Sequence, residues 1–153
     1  MGEAATSGPI EPLWFLLLFA VGWLVISGLL ARVGGWASLA TQFRSVEPAS
    51  GERFRFVSGS MGKGTFPVSY GGCLFFVVSQ RGFELSVLFP FRFQSPSLFI
   101  PWSQVESVGE RRLMFVRYIV IRLRNQWPLI SVRGPAGRRI REVYESLPPK
   151  RVL

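Results

Sequence analysis

Few side chains in this sequence could support catalysis. The chain has no histidine and no aspartate, and Cys73 is its single thiol. Ser–His–Asp and Cys–His catalysis are therefore excluded within one chain, as are zinc sites built from cysteine and histidine. Nothing in the sequence gives a reason to pair Glu84, Glu106 and Glu110 as an acid and a base. We therefore predict a protein that is not an enzyme, with no catalytic residue, no metal site and no cofactor.

Arginine offers a second chemistry, which is the binding of anions. All eighteen basic residues lie at or after Arg32, and that part of the chain carries seven carboxylates, so its net charge is +11. Such an excess predicts an anionic neighbour, either acidic lipid or a phosphate backbone. The predicted basic face comprises Lys63, Arg111, Arg112, Arg117, Arg122 and Arg124, with Tyr118 among them.

Two familiar phosphate-binding patterns do not fit the chain. The stretch GSMGKGT (59–65) follows a strand-like segment, but a phosphate loop would need glycine at Val57 and serine or threonine at Gly64. The arginines are spread over several elements, and no recognised DNA-reading helix or RNA-binding sheet motif accompanies them. We therefore disfavour nucleic acid as a partner and expect anionic lipid headgroups instead. The plainer alternative is that these arginines are solvated and paired with the few glutamates.

The element that must position these residues is a predicted membrane span. Residues 13–31 read LWFLLLFAVGWLVISGLLA, nineteen residues without a charge. At 1.5 Å per residue they would extend about 28 Å, close to the thickness of a bilayer's hydrocarbon core. A cleaved signal peptide would need a basic leader, whereas the charges before this run are acidic. We predict a short tail over 1–12 and a retained transmembrane helix over 13–33.

The residues at and within the span predict its orientation and its neighbours. Basic residues follow the span and none precedes it, so the N-terminus is expected outside and the C-terminal domain in the cytoplasm. Trp14 suits one headgroup boundary and Arg32 the other. Gly22, Ser27 and Gly28 are small enough to let a neighbouring membrane helix approach closely, which predicts a membrane-protein partner.

A short amphipathic helix is predicted directly after the span, over 34–44. Its apolar residues recur at i, i+3, i+4 and i+7, and they are Trp36, Leu39, Ala40 and Phe43. Two placements are open. The helix could lie at the membrane interface, with Trp36 and Phe43 at headgroup level and Arg44 toward lipid phosphates. Alternatively, it packs on the domain that follows.

Beyond a linker over 45–51 the pattern becomes that of a β domain over 52–149, followed by a tail over 150–153. The strand-like segments are 53–57, 73–79, 83–89, 117–124 and 128–132. Two hairpins are predicted, one turning at 80–82 and one at 125–126. The last segment has a first-turn proline and helical spacing of apolar residues, which predicts a helix over 135–147. The predicted fold class is mainly β, with about seven antiparallel strands plus this helix, preceded by one transmembrane helix.

This order of elements resembles the pleckstrin-homology-like (PH-like) fold of small bacterial membrane-anchored proteins, an uncharacterised family. The resemblance covers roughly Glu52 to Leu147 and rests on the element order together with LFIPWSQVESV (98–108). The phrase GWASLATQF (35–43) is also similar to a juxtamembrane phrase of such proteins. The resemblance implies a curved antiparallel sheet closed at one end by the helix, in a protein of the bacterial inner membrane. It names no ligand, because this scaffold serves lipid, peptide and protein binding alike.

One aromatic segment, here called the aromatic loop, is a candidate contact site. Phe89, Phe91 and Phe93 share one strand parity, whereas Arg92 faces the other way, and prolines at 90 and 96 interrupt any sheet ladder. These aromatics could pack against the sheet. Alternatively, they insert at the membrane interface or into a partner, with Arg92 on a phosphate.

Two functions are compatible with these features. In the first, the domain is an accessory or scaffolding subunit of a membrane protein complex, and the span and the aromatic loop pack on neighbouring subunits. In the second, the domain is a sensor at the membrane surface that binds anionic lipid through Arg92, Lys63 and the region 111–124.

Overall fold

The secondary structure confirms the predicted fold class. The computed structural model describes residues 10–63, 67–89, 91–126 and 128–148. Its helices are α1 (Ile10–Val33), α2 (Trp36–Phe43) and α3 (Pro135–Ser146). Its strands are β1 (Glu52–Gly62), β2 (Val68–Val78), β3 (Gly82–Val87), β4 (Leu98–Pro101), β5 (Val105–Leu113), β6 (Val116–Leu123) and β7 (Leu129–Arg133). The described chain is thus a seven-stranded β domain that ends in a helix and follows one apolar helix.

The seven strands form one antiparallel sheet that curls into a half-barrel. Its strand order is β4-β3-β2-β1-β7-β6-β5. The predicted hairpins are both present, because β2 pairs with β3 and β6 pairs with β7. The β5–β6 hairpin was not predicted, and its register places Leu113 opposite Val116.

Strand alternation explains where the core lies. On β6, for example, Ile119 and Ile121 are buried while Arg122 between Ile121 and Leu123 is exposed, as expected when one face of a sheet is covered. The helix α3 begins at the predicted Pro135 and buries its apolar side against this inner face. Its residues Ala136, Ile140 and Val143 join the core.

The helix α2 belongs to this core. Trp36 is 0% exposed and Phe43 is 6% exposed, and the indole N–H of Trp36 donates to the carbonyl of Pro96 at 2.9 Å. The prediction that these two side chains face the membrane interface is therefore wrong, and the alternative of packing on the domain is what the structure has. Helical periodicity identifies an apolar face, but it does not say what will cover that face. Arg44, which ends the helix, is exposed, and its backbone bridges to Leu98.

The helix α1 is long and apolar enough to cross a membrane, by its length and composition. It begins three residues before the predicted boundary and ends at the predicted Val33. Its large apolar side chains, Trp14 among them, are mostly exposed. Exposing so large an apolar surface to water is unfavourable, and the lipid of a bilayer buries such a surface on a transmembrane helix.

Candidate membrane-docking site

A two-glycine turn joins α1 to the domain. The N–H of Gly34 donates to Leu30 at 2.8 Å and the N–H of Gly35 donates to Arg32 at 3.1 Å, which ends α1. Gly35 has a φ of +80°, and a Cβ built on it would lie 2.7 Å from Cγ of Pro128. A side chain is therefore disfavoured here both by the backbone conformation and by the neighbour. This turn brings α2 back into the half-barrel within two residues of the helix end.

Three parts of the sheet lie around α1 and α2 at one end of the half-barrel, here called the span-facing rim. At the start of β2, Val68 and Tyr70 lie against Gly34. At the β6–β7 connection, Pro128 lies against Gly35. The β3–β4 connection reaches furthest, and it contacts α1 itself. The domain is therefore seated on its own apolar helix.

The contact of the β3–β4 connection with α1 involves a hydrogen bond and two aromatic rings. The side-chain amide of Gln94 donates to the carbonyl of Leu24 at 2.8 Å. The ring of Phe91 lies 5.0 Å from that of Trp23, measured between centroids. Leu24 precedes the helix end at Val33 by nine residues, which corresponds to about 13 Å at the rise of an α-helix. The connection therefore lies well alongside the apolar helix and not merely at its end.

Within the aromatic loop, one residue packs as the first predicted interpretation expects, and another is exposed as the second expects. Phe91 is half-buried, packing against the core while its ring meets Trp23. Phe89 is 73% exposed. Arg92 is exposed, and its guanidinium donates to the Ser97 hydroxyl at 3.2 Å. The side chain of Phe93 lies outside the described part of the structure. One aromatic side chain of the loop thus packs on the core, and another is exposed.

The small residues of the span are not equivalent. A Cβ at Gly28 would overlap the side-chain amide of Gln94, so the close approach that this glycine permits is used within the chain. A Cβ at Gly22 would meet no heavy atom within 4 Å among the described residues. Ser27 is half-buried. Of these three residues, Gly22 is the one whose surroundings the domain leaves open.

The predicted basic face is split into two groups. Arg111, Arg112 and Arg117 lie near the turn of the β5–β6 hairpin, where Arg112 pairs directly with Arg117. The other group belongs to the span-facing rim. Lys63 directly follows Gly62, which pairs with Leu129, while Arg122 and Arg124 lie at the end of β6 that leads into Pro128. All six side chains are exposed, as is Arg32 at the end of α1.

Sequence reasoning missed the turn of the β5–β6 hairpin, here called the apolar tip. Its residues Leu113, Met114 and Phe115 are 62%, 83% and 91% exposed. Met114 has a φ of +53°, which is uncommon for a residue with a side chain. The sequence signal was three apolar residues between arginines. It was overlooked because a two-residue hairpin turn is usually recognised by Asn-Gly or Asp-Gly, and this turn has neither.

The carboxylates have local partners of their own. Glu84 is buried, and its Oε2 accepts the backbone N–H of Ala49 at 2.6 Å, which holds the linker against the sheet. Glu110 pairs with Arg117 at 3.7 Å and with Arg141 at 2.9 Å. These contacts give both carboxylates structural roles. Among the described residues, no group of three or more histidine, cysteine, aspartate or glutamate side chains could hold a metal ion.

Tyr70 is an unusual residue of the span-facing rim. Its ring lies 6.0 Å from that of Trp36, and its hydroxyl is buried with no hydrogen-bond partner among the described residues. Burial, with a smaller effect of Cys73, raises the pKa of Tyr70 to about 12. A hydroxyl that gives up its hydration without gaining a hydrogen bond destabilises the folded state.

Replacing Tyr70 with phenylalanine is therefore expected to leave the domain equally stable or to stabilise it by about 1 kcal/mol, because only the unpaired hydroxyl is lost. Thermal and denaturant unfolding of the full-length chain in detergent would measure the change. Tyr118→Phe is the matched control, since Tyr118 lies on the other face of the sheet. A clear loss of stability in Tyr70→Phe would show that the hydroxyl has a partner.

No protein-family model and no curated protein matches the chain. Its class is therefore defined by the fold and the site. It is a curled seven-stranded β domain that a two-glycine turn, the start of β2 and two sheet connections hold against a helix long and apolar enough to cross a membrane.

Proposed function

We propose that the protein is a non-catalytic single-pass membrane protein whose PH-like domain serves as an accessory or scaffolding subunit of a membrane protein complex. The bacterial inner membrane is the expected location, with the N-terminus outside and the domain in the cytoplasm. The observation that carries the proposal is the seating of the domain on its own span. The start of β2 and two sheet connections contact Leu24, Gly34 and Gly35, so the domain has little freedom to rotate about its anchor.

A fixed domain suits a scaffold better than a mobile receptor. A domain on a long flexible linker samples many orientations, and each partner must compensate for the entropy lost on binding. Here only two residues separate α1 from α2, and the buried Trp36 follows them directly. The surfaces of the domain are therefore presented at a constant height and angle to the membrane. Constant presentation lowers the entropic cost of assembly with neighbouring subunits.

The span itself offers a second surface to a partner. Residues on a helix advance by about 100° each, so Gly22 points roughly 120° away from Gly28. Gly28 faces Gln94 of the same chain, whereas the surroundings of Gly22 are open. Close approach of a neighbouring helix at a glycine gives the van der Waals contact that drives association in lipid. We therefore place the expected partner helix on the side of Gly22.

Native electrophoresis after gentle detergent extraction tests this proposal. The full-length chain is expected to migrate in an assembly larger than its monomer, and Gly22→Leu is expected to release it, because the larger side chain separates the helices. Ala20→Leu is the matched control, since residue 20 points to nearly the opposite side of the helix. Migration of the unaltered chain only as a monomer would reject the subunit proposal. Equal migration of both variants would reject the side of Gly22 as the contact.

Binding of anionic lipid is the second candidate function. It is favoured by the exposed cations Arg32, Lys63 and Arg124, which lie at the end of α1 and along the span-facing rim. A bilayer surface with acidic headgroups attracts such residues, and the attraction weakens as salt rises.

A further inference from the structure

The face of β5, β6 and β7 that points away from the core, here called the outer face, has an unusual composition. Paired residues of neighbouring strands lie on the same face of a sheet, so the register defines its members. Arg111 pairs with Tyr118, which pairs with Arg133, and Gly109 pairs with Val120, which pairs with Ser131. The described outer face consists of Ser107, Gly109, Arg111, Leu113, Val116, Tyr118, Val120, Arg122, Leu129, Ser131 and Arg133.

The paired residues of the outer face include three arginines and no carboxylate. Glu110 pairs with the buried Ile119 and therefore belongs to the inner face, whereas Glu106 is exposed at the irregularity between Val105 and Ser107, at the end of β5 far from the apolar tip. The helix α3 also packs on the inner side, since Gly137 lies against Ile119. Next to the apolar tip, where Arg111 and Arg133 flank Tyr118, the paired residues of the face carry positive charge alone, which is complementary to an anionic surface.

The apolar tip continues this surface. Leu113 forms the last pair of the hairpin with Val116, Met114 and Phe115 lie beyond that pair, and Arg111 and Arg112 precede them on β5. Exposure of three adjacent apolar side chains to water is unfavourable, so we expect another surface to bury them. A wedge of apolar side chains followed by arginines matches the order of acyl chains and phosphates in a bilayer surface.

Two local features of the tip oppose stability in water. Arg112 lies directly opposite Arg117, and like charges in that position destabilise a strand pair. Glu110 relieves this repulsion only on the side of Arg117, at 3.7 Å. Met114 also occupies a left-handed turn position that favours asparagine or glycine. A nearby anionic surface would offset the repulsion, and burial of the apolar side chains would offset the unfavourable turn.

The outer face begins where the chain leaves α1. Leu129, at one end of the face, follows Pro128, which contacts Gly35. From that end, β6 runs eight residues to the apolar tip, a distance of about 23 Å at the rise of a strand. The face and the tip are therefore continuous with the anchor. Tethering at this distance holds the face at a high effective concentration relative to the bilayer surface around α1.

We propose that the outer face lies on the anionic surface of the same bilayer that holds α1, and that the apolar tip inserts into it. Leu113, Met114 and Phe115 enter the acyl-chain boundary, while Arg111 and Arg133 contact phosphate groups. The inference rests on the proposed membrane anchoring and adds a second, electrostatic attachment about 23 Å from the span. Lipid is favoured over a protein partner because every charged residue among the paired residues of the face is an arginine and because the face is continuous with the anchor.

An environment-sensitive fluorophore at the tip tests the proposal. The full-length chain carrying Met114→Cys in a Cys73→Ser background would be labelled with a nitrobenzoxadiazole group and placed in nanodiscs. In nanodiscs that contain phosphatidylglycerol we expect several-fold brighter, blue-shifted emission than in phosphatidylcholine alone. Salt near 1 M, where the screening length is about 3 Å, should reduce the difference. A label at Val46, which is exposed in the linker, is the control and should respond to neither lipid.

Reversing the charge of single arginines tests whether the response depends on the outer face or on the overall positive charge of the domain. Arg111→Glu is expected to abolish most of the brightening, whereas Arg138→Glu, an exposed arginine on α3, should leave it unchanged. Weak emission without a blue shift, in a chain that has entered the nanodisc, would overturn the insertion of the tip and leave the anchoring by α1 intact. Failure to enter the nanodisc would reject the anchoring itself. If the label brightens only after separate phosphatidylglycerol vesicles are added, the tip binds another bilayer. If it brightens only in native membranes, the tip binds a protein. Either result overturns the proposal.

Discussion

Replacing Trp36 with alanine is expected to lower the free energy of unfolding of the domain by about 3–5 kcal/mol, the range typical of a buried tryptophan. The side chain is 0% exposed, and its indole N–H donates to Pro96 at 2.9 Å. The substitution therefore leaves a large cavity and an acceptor without its donor. Because native domains are typically stable by only about 5–15 kcal/mol, this substitution should remove a large part of the stability of the domain.

Trp14 provides the matched control for this substitution. Both tryptophans were predicted to lie at a membrane boundary, but Trp14 is 61% exposed on α1 and does not belong to the core. Trp14→Ala should leave the unfolding of the domain unchanged, as followed by denaturant titration in detergent. Equal effects of the two substitutions would contradict the placement of α2 inside the half-barrel.

Replacing Gly35 with alanine is expected to separate the domain from α1. An L-residue in the left-handed region costs about 1–2 kcal/mol, and the new Cβ would lie 2.7 Å from Cγ of Pro128. The turn must therefore open or Pro128 must move, and both changes weaken the contacts between the span-facing rim and the helix. Gly71→Ala is the matched control, because a Cβ there meets nothing within 4 Å.

A disulfide reports this separation directly. Cysteines replacing Gly28 and Gln94, in the Cys73→Ser background, should cross-link under mild oxidation because a Cβ at Gly28 would touch the Gln94 side chain. Adding Gly35→Ala should reduce the yield several-fold, and adding Gly71→Ala should not. An unchanged yield with Gly35→Ala would mean that the rim is held against α1 without this turn. Thermal unfolding of each variant separates loss of docking from loss of the fold.

The elements that depend on local sequence could be predicted. The charge-free run that became α1 signals a span by composition alone, and the alternation around Ile119 and Ile121 signals a strand with one covered face. The hairpins at 80–82 and 125–126 were found because apolar strand patterns stop on both sides of a short polar stretch. Pro135 similarly marked the first residue of α3.

The tertiary structure decided which of these surfaces meet. The periodicity of α2 was visible in the sequence, but whether lipid or the sheet covers Trp36 depends on the left-handed conformation of Gly35 and on the position of Pro128. Gly28 looked like a contact for a second helix, yet Gln94, distant in sequence, lies against it. Neither contact has a signature in neighbouring residues.

The candidate site shows the same division. The sequence by itself determined an apolar helix, a strongly basic domain and the absence of histidine and aspartate, because composition and local periodicity depend on no distant contact. Only the strand register decided that Arg111 shares an outer face with Arg133 whereas Arg112 and Arg117 stand on the other. Only the two-residue turn exposed Met114 and its neighbours. A shift of one residue in strand pairing would exchange the faces, and such a choice is made by the packing of the whole sheet.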